Sequence, residues 1–231
     1  MMGRFFSYGL VIILVGVVPV LSFKTARRSD LHLIPKIDLY LSAVLSQWIL
    51  ALLASGVVGF EGPGFRAIGF RSLPHDQFMF WTGGLALGAL AALGLVVTLE
   101  RFGLWPEESD LVHLLIPETR REKLLAVCLV APTAAFCEEL LYRGYLHAQL
   151  LRWSDSVAAA LILGAVAFGL AHAYQGVQGM ARAALLGALL AVPVIRTGSL
   201  WPSMAAHFVI DAVALIWLGP RLLRRSLTPR S

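Results

Sequence analysis

Residues 123–151 read KLLAVCLVAPTAAFCEELLYRGYLHAQLL. This segment is apolar along most of its length and exceeds the roughly 20 residues that an α-helix needs to cross a bilayer. Near its middle it carries three ionisable residues, Glu138, Glu139 and Arg143. A charged side chain at that depth costs at least about 2.5–3.5 kcal/mol, so such residues usually serve a function. The segment therefore predicts a transmembrane helix with a functional site inside the membrane.

Other apolar runs lie on both sides of this segment. Of the 231 residues, 58% are hydrophobic and only 14% are charged. That is too little polar surface for a soluble protein of this size. Together with the segment above, the apolar runs are 5–23, 37–60, 78–99, 123–151, 156–173, 177–195 and 201–218. We predict an all-α polytopic transmembrane helix bundle of about seven spans, which forms a single membrane domain over residues 1–231 and lies in the plasma membrane.

The basic residues predict the orientation of the bundle. Seven spans place the termini on opposite sides, and Lys and Arg concentrate on the cytoplasmic side. With the C-terminus inside, 13 of the 19 Lys and Arg residues are cytoplasmic, 5 are outside, and Arg143 lies within a span. We therefore expect an N-out/C-in topology, with residues 105–121 as a short helix on the inner surface. Because the basic residues lie between apolar runs, the net charge of +5 does not indicate nucleic-acid binding.

Sequence spacing separates the two glutamates. Glu139 and Arg143 are four residues apart on one helix face, so we expect them to form an ion pair. Glu138 lies about 100° round the helix axis and is left without a cationic neighbour. Pro132 removes the backbone hydrogen bond to the carbonyl of Cys128, which predicts a kink or looser packing beside the free carboxylate.

Further ionisable residues occur in two later spans. Phe168 and His172 share a face in the fifth run, and His207 and Asp211 share a face in the last. Each pair alone is more often a structural contact between helices than a site. Their combination with the adjacent residues Glu138 and Glu139 favours a functional site. In the first three runs, Gln47 is the main polar residue, and the sequence assigns it no role.

Three motifs carry a specific resemblance. They are Phe-Cys-Glu-Glu-Leu-Leu-Tyr-Arg-Gly at 136–144, Phe-Gly-Leu-Ala-His at 168–172 and His-Phe-Val-Ile-Asp at 207–211. In this order they resemble the EExxxR, FxxxH and HxxxN/D motifs of the CAAX protease and bacteriocin-processing family, which includes the type II CAAX prenyl endopeptidases. The resemblance covers residues 123–218, about the C-terminal half of the chain.

The resemblance implies an intramembrane glutamic endopeptidase. Its catalytic residues would be Glu138 as the base that activates a water molecule, His172 as its assistant, and His207 with Asp211 as the oxyanion stabiliser. The supporting residues would be Glu139, Arg143 and Phe168. Well-known members of the family carry Asn at the position of Asp211, and an ionised Asp cannot donate a hydrogen bond to an oxyanion. Asp211 is therefore expected either to be protonated or to orient His207.

The depths of these residues predict a cavity. At about 1.5 Å per residue, Glu138 and Asp211 lie near mid-membrane, whereas His172 lies near the inner end of its span. They can meet if a cavity runs from mid-membrane to the cytoplasmic face or if the helices shift in register. We expect the cavity.

The sequence also allows functions other than metal-free peptide hydrolysis. Glu138, His172 and His207 are adequate zinc ligands, but the family mechanism is metal-free, so we expect no metal and no cofactor. The HExxH, GxSG and paired YD and GxGD motifs of other intramembrane proteases are absent from the sequence. A non-catalytic role in bacteriocin immunity or as a scaffold is the main alternative. A proton-coupled transporter is a third possibility, although no inverted repeat supports it.

The substrate is expected to belong to one broad class. The resemblance implies a membrane-embedded or lipid-anchored protein or peptide, cleaved within the lipid bilayer. Candidates are CAAX-like tails, leader peptides and C-terminal sorting tags with an apolar helix and a basic tail. The sequence does not name the scissile bond.

Overall fold

The computed structural model describes residues 3–61, 64–104 and 110–218. Within these ranges the chain is helical and contains no β-strand, so the predicted all-α helix bundle is confirmed. The apolar helices are α1 (Gly3–Ile12, a π-helical Ile13–Val17 and Val18–Ala26), α2 (Lys36–Glu61), α3 (His75–Arg101), α4 (Arg120–Ser154), α5 (Val157–Ala171), α6 (Gly176–Thr197) and α7 (Trp201–Val213 with a π-helical Ala214–Leu218).

Length and composition make this a multi-pass membrane protein. Among the described residues, five helices, α1 to α4 and α6, are long and apolar enough to cross a membrane, with mean hydropathies from 1.6 to 2.3. Helices α5 and α7 are shorter apolar helices that coincide with the predicted fifth and seventh spans. The number of seven spans and the N-out/C-in orientation stay predictions. Four of the basic residues behind that orientation lie in 219–231, outside the described residues.

The outer surface of the bundle is apolar. On α1, α2 and α3, large hydrophobic side chains such as Phe5, Phe60, Phe80 and Leu87 are 72–87% exposed. Such contiguous exposed apolar surface is typical of a face that contacts lipid. In contrast, half of the most apolar stretch of α4 is buried, against 17% for α2 and α3. Helix α4 is therefore the central helix of the bundle.

Small residues allow close helix packing around α4. A Cβ atom at Gly169 of α5 would lie 2.7 Å from the carbonyl oxygen of Met180 on α6. A Cβ atom at Gly144 of α4 would lie 2.9 Å from the carbonyl oxygen of Ile68, in the connection between α2 and α3. Both contacts require glycine, because real Cβ atoms do not approach other atoms so closely. The connection therefore lies directly against the central helix.

Two π-helical stretches interrupt the hydrogen-bond pattern of α4. The first, Ala126–Val130, directly precedes the turn that contains Pro132. Proline has no backbone N–H, so the backbone adjusts at the place where the sequence predicts a disturbance. The second, Glu139–Leu146, contains the predicted ion pair. Single π-helical turns inside α-helices are frequent at functional sites.

The predicted surface helix at 105–121 is present only in part. Asp110–Leu115 is helical, residues 105–109 lie outside the described residues, and α4 begins at 120. Directly after this short helix, the carbonyl oxygen of Ile116 accepts a hydrogen bond from Lys36 Nζ at 2.6 Å. The short helix is therefore fixed at the end of the bundle where α2 begins.

Candidate active site

Glu138 lies where four helices meet. Its side chain, on α4, is 14% exposed, and its Oε1 accepts a 2.9 Å hydrogen bond from Gln47 Nε2 on α2. Its Oε2 lies 3.8 Å from His172 Nε2 at the end of α5 and 3.9 Å from His207 Nε2 on α7. These two distances exceed the range of a direct hydrogen bond, which ends at about 3.2 Å. The fold thus gathers the predicted base and both predicted histidines around one carboxylate oxygen.

His172 is held in one orientation by its own helix. It caps the C-terminus of α5, and its Nδ1 lies 2.8 Å from the carbonyl oxygen of Phe168. A carbonyl oxygen only accepts, so Nδ1 must carry the hydrogen. In the neutral ring, Nε2 then presents a lone pair toward Glu138. The ring centroid also lies 4.5 Å from that of Phe168, so Phe168 positions the imidazole through both its carbonyl and its ring.

His207 contacts three carboxylates. Its Nδ1 lies 2.8 Å from Oε1 of Glu139, which accepts the hydrogen bond. Its Nε2 faces Glu138 and also lies 3.5 Å from Oδ2 of Asp211. Glu139, rather than Asp211, therefore holds Nδ1 and fixes the ring. Asp211 contacts the nitrogen that faces the site, and its side chain is 29% exposed.

The predicted ion pair between Glu139 and Arg143 is confirmed. Arg143 Nη1 lies 3.1 Å from Glu139 Oε1, and the two side chains are 3% and 0% exposed. Arg143 Nε donates to the carbonyl oxygen of Gly187 on α6 at 3.3 Å, and the guanidinium carbon lies 3.8 Å from the ring centroid of Phe168. Burying a charge is tolerated when it is paired and hydrogen-bonded. This pair therefore links α4 to α5 and α6 without leaving a lone buried charge.

Gln47 belongs to the site although the motifs do not include it. It stands in an apolar helix outside the region that resembles the family, and its amide reaches Glu138 across 91 positions of the sequence. The signal that could have found it is its polarity, because an amide in an apolar span usually bonds to another helix. The sequence alone does not say which partner it has.

A cavity of about 350 Å³ leads away from Glu138 and His172. It reaches the connection between α1 and α2 at Leu31 and the short helix at Leu111. The predicted cavity is thus present, and it runs to the end of the bundle that the charge pattern predicts to be cytoplasmic. Its lining is mainly apolar: Val18, Thr25, Leu31, Leu39, Ser42, Ala43, Ser46, Gln47, Leu50, Leu111, Leu114, Leu115, Glu138, Leu141, Tyr142, Ala171, His172 and Tyr174.

Glu138, His172 and His207 are the residues that the sequence offers as zinc ligands. Across 3–61, 64–104 and 110–218, no three His, Cys, Asp or Glu side chains are grouped so that they could hold a metal ion. The mechanism proposed below uses no metal.

Part of the C-terminal half of the chain matches a known protein family. A partly buried glutamate that faces two imidazoles, inside an apolar helix bundle, is a candidate hydrolytic centre of a membrane-embedded protein. Residues 120–213 match the family model described as type II CAAX prenyl endopeptidase Rce1-like. The predicted resemblance is thus confirmed for residues 120–213, which match the Rce1-like domain of the type II CAAX prenyl endopeptidases. Neither the curated proteins nor the solved structures contain a match to the chain.

Proposed function

We propose that this protein is an intramembrane endopeptidase in which Glu138 and His172 activate a water molecule. The observation that carries the proposal is the approach of His172 and His207 to the same oxygen of Glu138, at 3.8 and 3.9 Å. Amide hydrolysis needs a base within reach of the nucleophile and hydrogen-bond donors aimed at the developing oxyanion. The first motif would supply the base, and the third would supply the donor.

The hydrogen on Nδ1 of His172 determines how the proton transfers would run. A water molecule would donate one hydrogen bond to Glu138 Oε2 and the other to the lone pair of His172 Nε2. As its oxygen bonds to the scissile carbonyl carbon, Glu138 takes the proton and the carbonyl electrons move to the oxygen. When the C–N bond breaks, Glu138 returns that proton to the leaving nitrogen. The base is thus regenerated in each cycle.

His207 would stabilise the oxyanion. Its Nδ1 hydrogen is committed to Glu139 at 2.8 Å, so Nε2 can donate only when the ring is protonated. Carboxylate oxygens of Glu139 and Asp211 lie 2.8 and 3.5 Å from its two ring nitrogens. Asp211 would accept from Nε2–H in the resting site and yield this hydrogen to the oxyanion when substrate binds.

The cavity suits an apolar substrate segment. Its volume of about 350 Å³ lies within the usual range of ligand sites, and most of its lining side chains are apolar. The substrate class that fits is a membrane-embedded or lipid-anchored protein or peptide. Candidates within this class are CAAX-like tails, leader peptides and C-terminal sorting tags. We place the protein in the plasma membrane and assign it no cofactor.

The proposal is tested by Glu138→Gln in the native host. Quantitative mass spectrometry of membrane-protein termini would compare wild type, Glu138→Gln and, as a matched control, Glu118→Gln, whose side chain is 65% exposed and lies away from the site. We expect one or more uncleaved species in Glu138→Gln cells only, at equal protein level, because the substitution removes the base with little change in volume. Unchanged termini, together with a phenotype on complete deletion, would instead support the immunity or scaffold role.

A further inference from the structure

Only one of the two polar atoms of the Gln47 side chain has a hydrogen-bond partner among the described residues. Its Nε2 donates to Glu138 at 2.9 Å, whereas its Oε1 is buried and has no hydrogen-bond partner among the described residues. Buried polar groups in native proteins are nearly always paired, so an unpaired one needs an explanation. An amide kept only for packing would be replaced at no loss by an apolar side chain of similar shape. Its hydrogen bond to Glu138, the proposed base, points to a role in the site.

The direction of the amide is fixed by its partner. A carboxylate oxygen accepts hydrogen bonds, so the NH₂ group, and not the carbonyl, must face Glu138. This bond occupies Oε1 of Glu138 and leaves Oε2, the oxygen that faces His172 and His207, for the reaction. Rotation of the carboxyl group would break the bond to Gln47. The amide therefore holds the base in the rotamer in which Oε2 meets both imidazoles.

We propose that Gln47 is a positioning residue of the reaction: it orients Glu138 from α2, a helix outside the matched domain. This inference rests on the proposed endopeptidase activity. It also gives α2 a function beyond lining the cavity, since α2 supplies the contact that defines which oxygen of Glu138 acts. A 1 Å displacement of a catalytic group can cost about 100-fold in rate.

The first test replaces Gln47 by an apolar side chain of similar length. The probe is the membrane protein whose uncleaved form accumulates in Glu138→Gln cells, purified with an epitope tag. For Gln47→Met we expect kcat to fall about 10- to 100-fold while KM stays within about threefold. The melting temperature should change little, because the variant removes a buried oxygen without a partner together with the hydrogen bond to Glu138, and these two effects oppose each other. Ser55→Ala is the matched control: Ser55 lies on the same helix but outside the cavity lining, and its hydroxyl donates to the carbonyl oxygen of Ala51 in that helix.

A second variant tests the hydrogen atom itself. In Gln47→Glu the new carboxyl group can donate to Glu138 only while it is protonated, whereas two ionised carboxylates repel each other. We expect this variant to approach wild-type kcat at acid pH and to lose activity progressively as the pH rises. Gln47→Met should stay low over the whole range. A packing role for Gln47 would give two variants with the pH profile of the wild type.

A double-mutant cycle tests whether Gln47 acts through Glu138. In Glu138→Asp the shortened carboxylate no longer reaches the amide, so adding Gln47→Met should cost less than threefold. An undiminished effect in that background would overturn the inference. So would wild-type kcat in Gln47→Met while Glu138→Gln is inactive, and that result would leave the endopeptidase proposal intact. Wild-type termini in Glu138→Gln cells would remove both proposals together.

Discussion

Removing the cation of the buried ion pair should destabilise the protein strongly. Arg143→Met keeps most of the side-chain stem and removes the charge that faces Glu139, whose side chain is 0% exposed. Breaking a buried pair from one side costs about 3–5 kcal/mol, because the remaining charge has lost its partner. His207 still donates to the same carboxylate at 2.8 Å, so we expect the lower end, about 3 kcal/mol. In a chain of this length that corresponds to a melting temperature roughly 6–12 °C lower.

The assay is thermal unfolding in detergent, followed by the loss of the monodisperse peak in fluorescence-detected size-exclusion chromatography. Arg152→Ala, a substitution at an exposed position near the end of the same helix, is the control and should melt within about 1 °C of wild type. The decisive variant combines Glu139→Gln with Arg143→Met and removes both charges. If the uncompensated carboxylate causes the loss, this double variant should be more stable than Arg143→Met alone.

Two outcomes would refute this reasoning. Arg143→Met could melt within about 2 °C of wild type, which would mean that water or another group compensates Glu139. The double variant could instead lose the sum of both single effects. The contacts of Arg143 with Gly187 and Phe168, rather than its charge, would then carry the stability.

Two further predictions concern the reaction. Asp211→Asn should keep activity within about tenfold of wild type, because an amide can donate to the oxyanion directly, whereas Asp211→Leu, which offers no polar group, should lose more; equal losses in a cleavage assay would exclude a polar role for this side chain. Treatment with EDTA or 1,10-phenanthroline should leave cleavage unchanged. A loss of cleavage that added Zn²⁺ restores would instead support a zinc site at Glu138, His172 and His207.

The parts of the site that the sequence predicted correctly are those set by one helix. Four-residue spacing on α4 gave the pair of Glu139 with Arg143, and the same spacing on α5 placed Phe168 beside His172. The all-α architecture followed from apolar runs of membrane-spanning length. These are local properties, because helix geometry alone brings residues three and four positions apart together.

Residue spacing within one helix did not predict the contacts between helices. Spacing on α7 places His207 and Asp211 on one face, but it does not predict that His207 Nδ1 donates to Glu139 on α4. The bond from Gln47 to Glu138 depends on how α2 and α4 pack, which no periodicity encodes. The length of α5 and the π-helical stretch beginning at Glu139 are likewise not predicted by the sequence pattern.

Adjacent glutamates on one helix explain how a single motif serves two purposes. Because neighbouring residues point about 100° apart, α4 presents Glu138 to the cavity and to α2, and Glu139 to the core. The core carboxylate is fully buried, paired with Arg143 and bonded to Nδ1 of His207, whereas the cavity carboxylate faces Nε2 of the same ring. His207 therefore connects Glu139 to Glu138, the proposed base. A change at Arg143 should consequently reach the chemistry through Glu139 and His207, so the substitution that destabilises the fold should also lower kcat in the fraction that stays folded.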